Sequence, residues 1–193
     1  MRMATRRVRR QGGQAVKIVV TGPFAAGKTT LIRTISEITV LSTERSISDD
    51  SKARKADTTV AMDFGRITID PDLVLYLFGT PGQDRFDFMW EILGEGMLGY
   101  VLLVDATDRE SFAEARGILD AFRRMAHVPF VVAFNRHDHP HAAGESELRE
   151  VLDLEGQIQI VGCDVTEKDS VKNVMLALLF AVLDEIESAA VHA

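Results

Sequence analysis

Residues 22–29 read Gly22-Pro23-Phe24-Ala25-Ala26-Gly27-Lys28-Thr29, which fits the spacing G-x-x-x-x-G-K-[ST]. The β-branched run Val16-Lys17-Ile18-Val19-Val20 precedes it, and Thr30-Leu31-Ile32-Arg33-Thr34-Ile35 follows with helical character. A strand, a glycine-bounded loop and a helix together let backbone N–H groups turn inward around a phosphate, helped by the positive end of the helix. Gly22 to Thr30 then form the phosphate cradle. Lys28 reaches the β- and γ-phosphates, and the Thr29 hydroxyl binds Mg²⁺.

The rest of the chain continues that alternation. The first helix is expected to about Ile38, and Val40 to Thr58 shows no sustained period and reads as a mobile loop. Strands are expected over Val60 to Ile69, Leu73 to Phe78, Tyr100 to Val104, Pro129 to Phe134 and Ile158 to Val161. Helices are expected around Phe86 to Leu93, after Asp108, over Glu145 to Leu152, and after a capping box at Thr166-Glu167-Lys168-Asp169. Near-continuous apolar strands alternating with helices imply a largely parallel sheet covered on both faces. Ligands on such a sheet sit at the carboxyl ends of its strands.

The chain of 193 residues is expected to be a single domain over 15–188, with a basic arm at 1–14 and a short tail at 189–193. The net charge of −7 argues against a general nucleic-acid binder. Arg2, Arg6, Arg7, Arg9 and Arg10 are nonetheless crowded into the first ten residues. A solvated arm is the favoured reading, and contact with an anionic membrane surface or an acidic partner is the alternative. Cys163 is the single cysteine, which suits a reducing cytoplasm. No secretory signal, myristoylation site or prenylation box is read, and the longest apolar run, Val174 to Leu183, is too short to span a bilayer.

Five loops converge on the expected carboxyl edge. They are the phosphate loop, Thr59 ahead of a strand, Pro81-Gly82-Gln83, the pair Asn135 and Asp138, and Gly162-Cys163-Asp164. The Gly82 N–H is suited to a γ-phosphate and Gln83 to orienting an attacking water. A carboxylate at 138 accepts both N–H groups on the Watson–Crick side of guanine, a pair that adenine lacks.

Together these residues resemble the Ras-like small GTPases. Thr59-Val60-Ala61-Met62-Asp63-Phe64 is similar to their effector-loop threonine and following strand, and Asn135-Arg136-His137-Asp138 to their Asn-Lys-x-Asp guanine motif. Two stretches, Asp57 to Gly65 and Leu77 to Phe86, look most like the GTPases of actinobacterial conservons, with the Mgl-type gliding GTPases as neighbours. The resemblance implies a P-loop NTPase fold with about six strands. It implies a cytoplasmic switch that binds GTP and GDP with Mg²⁺, its loops at about 40–59 and 79–96 answering to the nucleotide. It also implies a roadblock-type regulatory protein and a sensor-kinase-like signalling complex as partners. The expected location is the cytoplasm, with the arginine arm as the route to any peripheral contact at the inner membrane face. Gln83 would be catalytic. Arg136, Cys163 and Asp164 would join Asn135 and Asp138 at the base, and Thr59 would join Thr29 at the metal.

Several residues depart from that pattern. Gly79 stands where most relatives carry an Asp that supports Mg²⁺ through water, and Asp57 is the expected substitute. Phe24 and Ala25 replace smaller residues, Thr58 replaces an arginine of the Mgl-type proteins, and Arg136 replaces lysine. Arg45, Arg54 and Arg85 are the remaining nearby arginines, none at a diagnostic spacing. Slow intrinsic hydrolysis is therefore expected. The rival readings are a GTP-dependent scaffold with negligible turnover and an ATP-dependent P-loop kinase. His137, His139 and His141 read as a flank of the base site rather than as a metal site, and Cys163 as a buried side chain rather than a reactive thiol.

Overall fold

A computed structural model describes residues 14–47, 58–81 and 87–191. The expected basic arm lies almost wholly outside them, as do Asp57, Gly82 and Gln83. The elements are β1 (Gln14–Thr21), α1 (Lys28–Ile35), β2 (Leu41–Ile47), β3 (Thr58–Asp70), β4 (Leu73–Gly79), α2 (Asp87–Gly94) and β5 (Met97–Asp105), followed by α3 (Phe112–Met125), β6 (Phe130–Asn135), α4 (Glu145–Leu152), β7 (Ile160–Cys163) and α5 (Lys168–Val191).

One seven-stranded sheet runs β2-β3-β4-β1-β5-β6-β7. From β4 to β7 all neighbours are parallel, while β2, β3 and β4 pair antiparallel. Each face carries its own core. On one side α1 and α5 cover Val16, Ile18, Val20, Leu75, Leu77, Val101 and Leu103. On the other, α2, α3 and α4 cover Val19, Tyr100, Leu102, Val104 and Val132. Burying a side chain of this size stabilises by about 1.5–3 kcal/mol, so strands apolar on both faces anchor the sheet from either side. That is why β4 and β5 read as continuous apolar runs.

The expected α/β architecture is present, with one strand more than read from the sequence. Leu41–Ile47, taken as part of a mobile loop, is instead β2, in register with β3 from Leu41 opposite Phe64 to Ile47 opposite Thr58. Its sequence, LSTERSI, mixes polar and apolar residues without a firm alternation. A strand at the sheet's edge is held mainly by the backbone ladder, so it needs no strong apolar period.

Other boundaries move for local reasons. Helix α1 stops at Ile35 because Ser36 turns extended and its hydroxyl accepts the Ile38 and Arg66 N–H groups. The capping box before α5 does not form. The Thr166 N–H and hydroxyl both donate to the Asp164 carboxylate, at 2.8 and 2.7 Å. Helix α5 buries Val171, Val174, Met175, Leu178 and Val182 and exposes Leu176, Phe180, Leu183 and Ile186. Among the described residues no helix is long and apolar enough to cross a membrane.

Candidate functional site

The turn after β1 depends on its glycines. Gly22 has φ 140°, and a Cβ there would lie 2.0 Å from the Leu103 carbonyl oxygen. No side chain fits, so the loop backbone lies directly against β5. Gly27 caps α1 with φ 106°, in the left-handed region glycine enters without penalty. Ala25 is left-handed too, at φ 60°. For a residue with a Cβ this stores about 1–3 kcal/mol, a cost found mainly where geometry serves a ligand. Phe24 lies at the loop's tip and is 65% exposed.

Lys28 folds back into this loop. Its ammonium donates to the Gly22 and Pro23 carbonyls at 2.7 and 2.6 Å. Burial, the dominant influence, pushes its pKa down to about 8 against the opposing pull of Glu114 and Asp63. A cation held this way in a poorly solvated pocket gains from any anion that enters. The loop after β4 is fastened to the same place: Thr80 N–H donates to Val20 O at 3.0 Å, and the Thr80 hydroxyl to Thr21 Oγ1 at 2.9 Å.

The Thr29 hydroxyl donates to the carboxylate of Asp63 in β3. Asp63 is the register partner of Gly79. A Cβ at Gly79 would come within 3.1 Å of the Asp63 Cβ and 2.9 Å of Ile32 Cδ1. The aspartate missing from β4 is thus matched by one in the adjacent strand, and the absence of a side chain at Gly79 is what admits it. No motif in the sequence gives Asp63 a role of its own. A signal was present: strand alternation puts Asp63 on the same face as Gly65 and Ile67, toward α1. Thr29 and Asp63 form a hard oxygen pair beside the phosphate loop, and such donors suit Mg²⁺. Thr59 lies within β3, opposite Ser46 of β2, rather than ahead of the strand.

At the end of β6, Asn135 is 5% exposed and engaged at both ends. Its Nδ2 donates to Ala26 O of the phosphate loop at 3.2 Å, and its Oδ1 accepts the Arg136 and Val165 N–H groups. This side chain therefore ties together three of the loops expected at the nucleotide edge of the sheet. Asp138 is exposed on the following turn. Arg136 has φ 57° and pairs with Asp105 rather than extending freely. Gly162 packs under the His137 ring, where a Cβ would meet Cδ2 at 2.8 Å.

Cys163 is buried, and burial raises its thiol pKa to about 11, as expected of an inert core side chain. The Asp164 carboxylate is held below its ordinary pKa, chiefly by the Thr166 hydroxyl, and it shapes the start of α5. Its backbone N–H donates to Ser170 Oγ. Among the described residues no group of His, Cys, Asp and Glu is arranged to hold a metal by itself, the three histidines included.

Three curated proteins illustrate the relationships. Uncharacterized protein MJ1339 of Methanocaldococcus jannaschii is 37% identical over 92 residues, 48% of this chain and 52% of that protein. Mutual gliding-motility protein MglA of Myxococcus xanthus is 26% identical over 147 residues, 70% of this chain and 74% of MglA. GTP-binding protein ypt2 of Schizosaccharomyces pombe is 31% identical over 104 residues, 52% of this chain and 46% of ypt2. The chain therefore spans about half the length of the first and third relatives. The similarities to MglA and ypt2 relate it to the Ras-like small GTPases, as the order of its motifs implies. Residues 40–184, most of the chain though not its phosphate loop, match a family described as conserved hypothetical ATP binding protein, and to that family the chain belongs.

Proposed function

We propose that this protein is a GTP-binding switch that hydrolyses GTP slowly to GDP. The observation that carries the reading is the Asn135 side chain, which joins the phosphate loop at Ala26 to the turn bearing Asp138. Phosphate and base recognition are thereby parts of one site. The backbone of residues 22–30 cradles the phosphates, and Lys28 neutralises the β- and γ-oxygens. Asp138 accepts the two guanine N–H groups, while Cys163 and Asp164 border the base. Thr29, Thr59 and Asp63 would hold Mg²⁺, which spreads phosphate charge when bound. Asp57 is a second candidate for the carboxylate role. Gln83 orients water toward the γ-phosphorus, the bond from that phosphorus to the bridging oxygen breaks, and GDP and phosphate leave. With Thr58 in place of an arginine, turnover without a partner is slow, since an arginine finger is worth about 10³–10⁵ in rate.

The finer placement is also proposed. Similarity to MglA is in keeping with an Mgl-type GTPase. A conservon-type G domain over 15–188, a roadblock-type regulator, a sensor-kinase-like complex and contact with the inner membrane face through the arginine arm rest on the sequence resemblance and composition alone. That ypt2 is a GTP-binding protein supports guanine nucleotide as ligand, whereas the matched family is described as ATP binding. An ATP-dependent kinase is the second reading on that account. Competition of GTP and ATP against a fluorescent GDP decides between them. GTP displacing at least about a hundredfold better is the expected result, and equal displacement would refute the guanine reading. Phosphate release with and without a roadblock-type protein separates a slow GTPase from a scaffold that never turns over.

A further inference from the structure

The turn that carries Asp138 is pinned from one side, by the segment that follows β5. Asp105 and Asn135 are register partners at the ends of β5 and β6. Ala106 N–H donates to Asn135 O at 3.0 Å, and Ala143 N–H returns to Ala106 O at 2.8 Å. Arg109 donates to His141 O at 2.9 Å while its guanidinium clasps Glu147. Backbone bonds therefore fix the residues flanking Arg136 to Ala142 at both ends.

Within the turn one side chain is held as well. The Asp105 carboxylate is 9% exposed and accepts three donors: Thr107 N–H at 2.9 Å, the Thr107 hydroxyl at 2.7 Å, and Arg136 Nη1 at 2.5 Å. Arg136 is left-handed at φ 57°, a conformation that costs a residue with a Cβ and that its neighbours must maintain. A guanidinium presents a rigid planar fork, so an arginine anchored here fixes the direction of its own backbone better than a lysine would.

We propose that Asp105 and Arg136 are positioning residues for guanine selection: their ion pair holds the left-handed turn that aims Asp138 at the base. This rests on the guanine-nucleotide reading above. The Thr107 bonds make Asp105 a fixed post, and the 58% exposed Arg136 side chain is the arm leaning on it. The swap of lysine for arginine in the guanine motif and the aspartate ending β5 then form one device.

The test measures affinities for GDP, for inosine diphosphate, which lacks the 2-amino group Asp138 would bind, and for inorganic tripolyphosphate. The wild-type protein is expected to prefer GDP to inosine diphosphate. Arg136→Ala, an exposed substitution that does not endanger folding, is expected to cut that preference about tenfold, the scale of one charge-assisted hydrogen bond. Its tripolyphosphate affinity is expected to stay within about twofold of wild type. Asp105→Asn is expected to show the same pattern. Equal losses for all three ligands would overturn the proposal, since the pair would then be merely structural. An unchanged GDP preference in Arg136→Ala would overturn it too, while leaving the guanine reading intact. A wild-type protein that bound no guanine nucleotide would remove the reading and the proposal together.

Discussion

Replacing Asp63 by asparagine probes the site at the point where it departs most from its relatives. The change keeps the side chain's volume, so the gap over Gly79 stays filled, but it removes the charge that receives the Thr29 hydroxyl. A hydrogen bond to a charged group is worth about 1.5–3 kcal/mol, against about 0.5–1.5 for a neutral one. The asparagine oxygen still accepts, so the expected loss is the difference, about 1–1.5 kcal/mol, or roughly tenfold in an equilibrium constant. The assay is release of a fluorescent GDP while Mg²⁺ is titrated. In Asp63→Asn the magnesium concentration giving half-maximal retention should rise about tenfold or more, and the nucleotide-free melting temperature should fall by about 2–6 °C as the Thr29 bond weakens. Asp57→Asn serves as the comparison. An unchanged midpoint in Asp63→Asn, or a shift arising wholly in Asp57→Asn, would refute the assignment of the carboxylate to β3.

Gly79→Ala should destabilise by about 1–3 kcal/mol in urea denaturation, because its Cβ would press on Ile32 and Asp63, and it should weaken magnesium-dependent nucleotide retention at the same time. Lys28 gives a pH signature of known sign. Its folded pKa of about 8 lies below the ordinary 10.5, so the unfolded chain binds more protons between those values, and nucleotide-free stability rises with pH across that window. Relative to Lys28→Met, the wild type should gain about 2–3 kcal/mol between pH 7.5 and 10. Nucleotide phosphates restore the charge, so GDP binding should take up a proton above pH 8, measurable by calorimetry in two buffers of different ionisation enthalpy. Asp138→Asn should move preference from guanine to xanthine nucleotides, read by competition.

The phosphate loop was legible because its glycines answer to local geometry: Gly22 and Gly27 both need positive φ. The strands buried on both faces announced themselves as apolar runs. Strand β2 did not, because an edge strand is made by its partner's backbone rather than by its own pattern. Asp63 escaped notice for a related reason. Its meaning lies in the register that sets it opposite Gly79, and register is a property of two strands together. Asn135 was identified as a base-site residue from its motif, yet only the fold reveals that its amide reaches back to Ala26. The exposed Leu176, Phe180 and Leu183 of α5 were hidden inside a stretch that is apolar nearly all round, where sequence alone does not say which side meets the sheet.

The contact between Gly22 and the Leu103 carbonyl makes the loop a gauge of the interior. At this point β5 and the turn share a single layer of atoms, with no side chain between them to absorb a shift. Leu103 itself packs in the core beneath α1 and α5. A substitution such as Leu103→Val should therefore speed nucleotide release along with the fall in melting temperature that a truncated core side chain brings. Ligand residence time would then report how tightly the centre of the sheet is built.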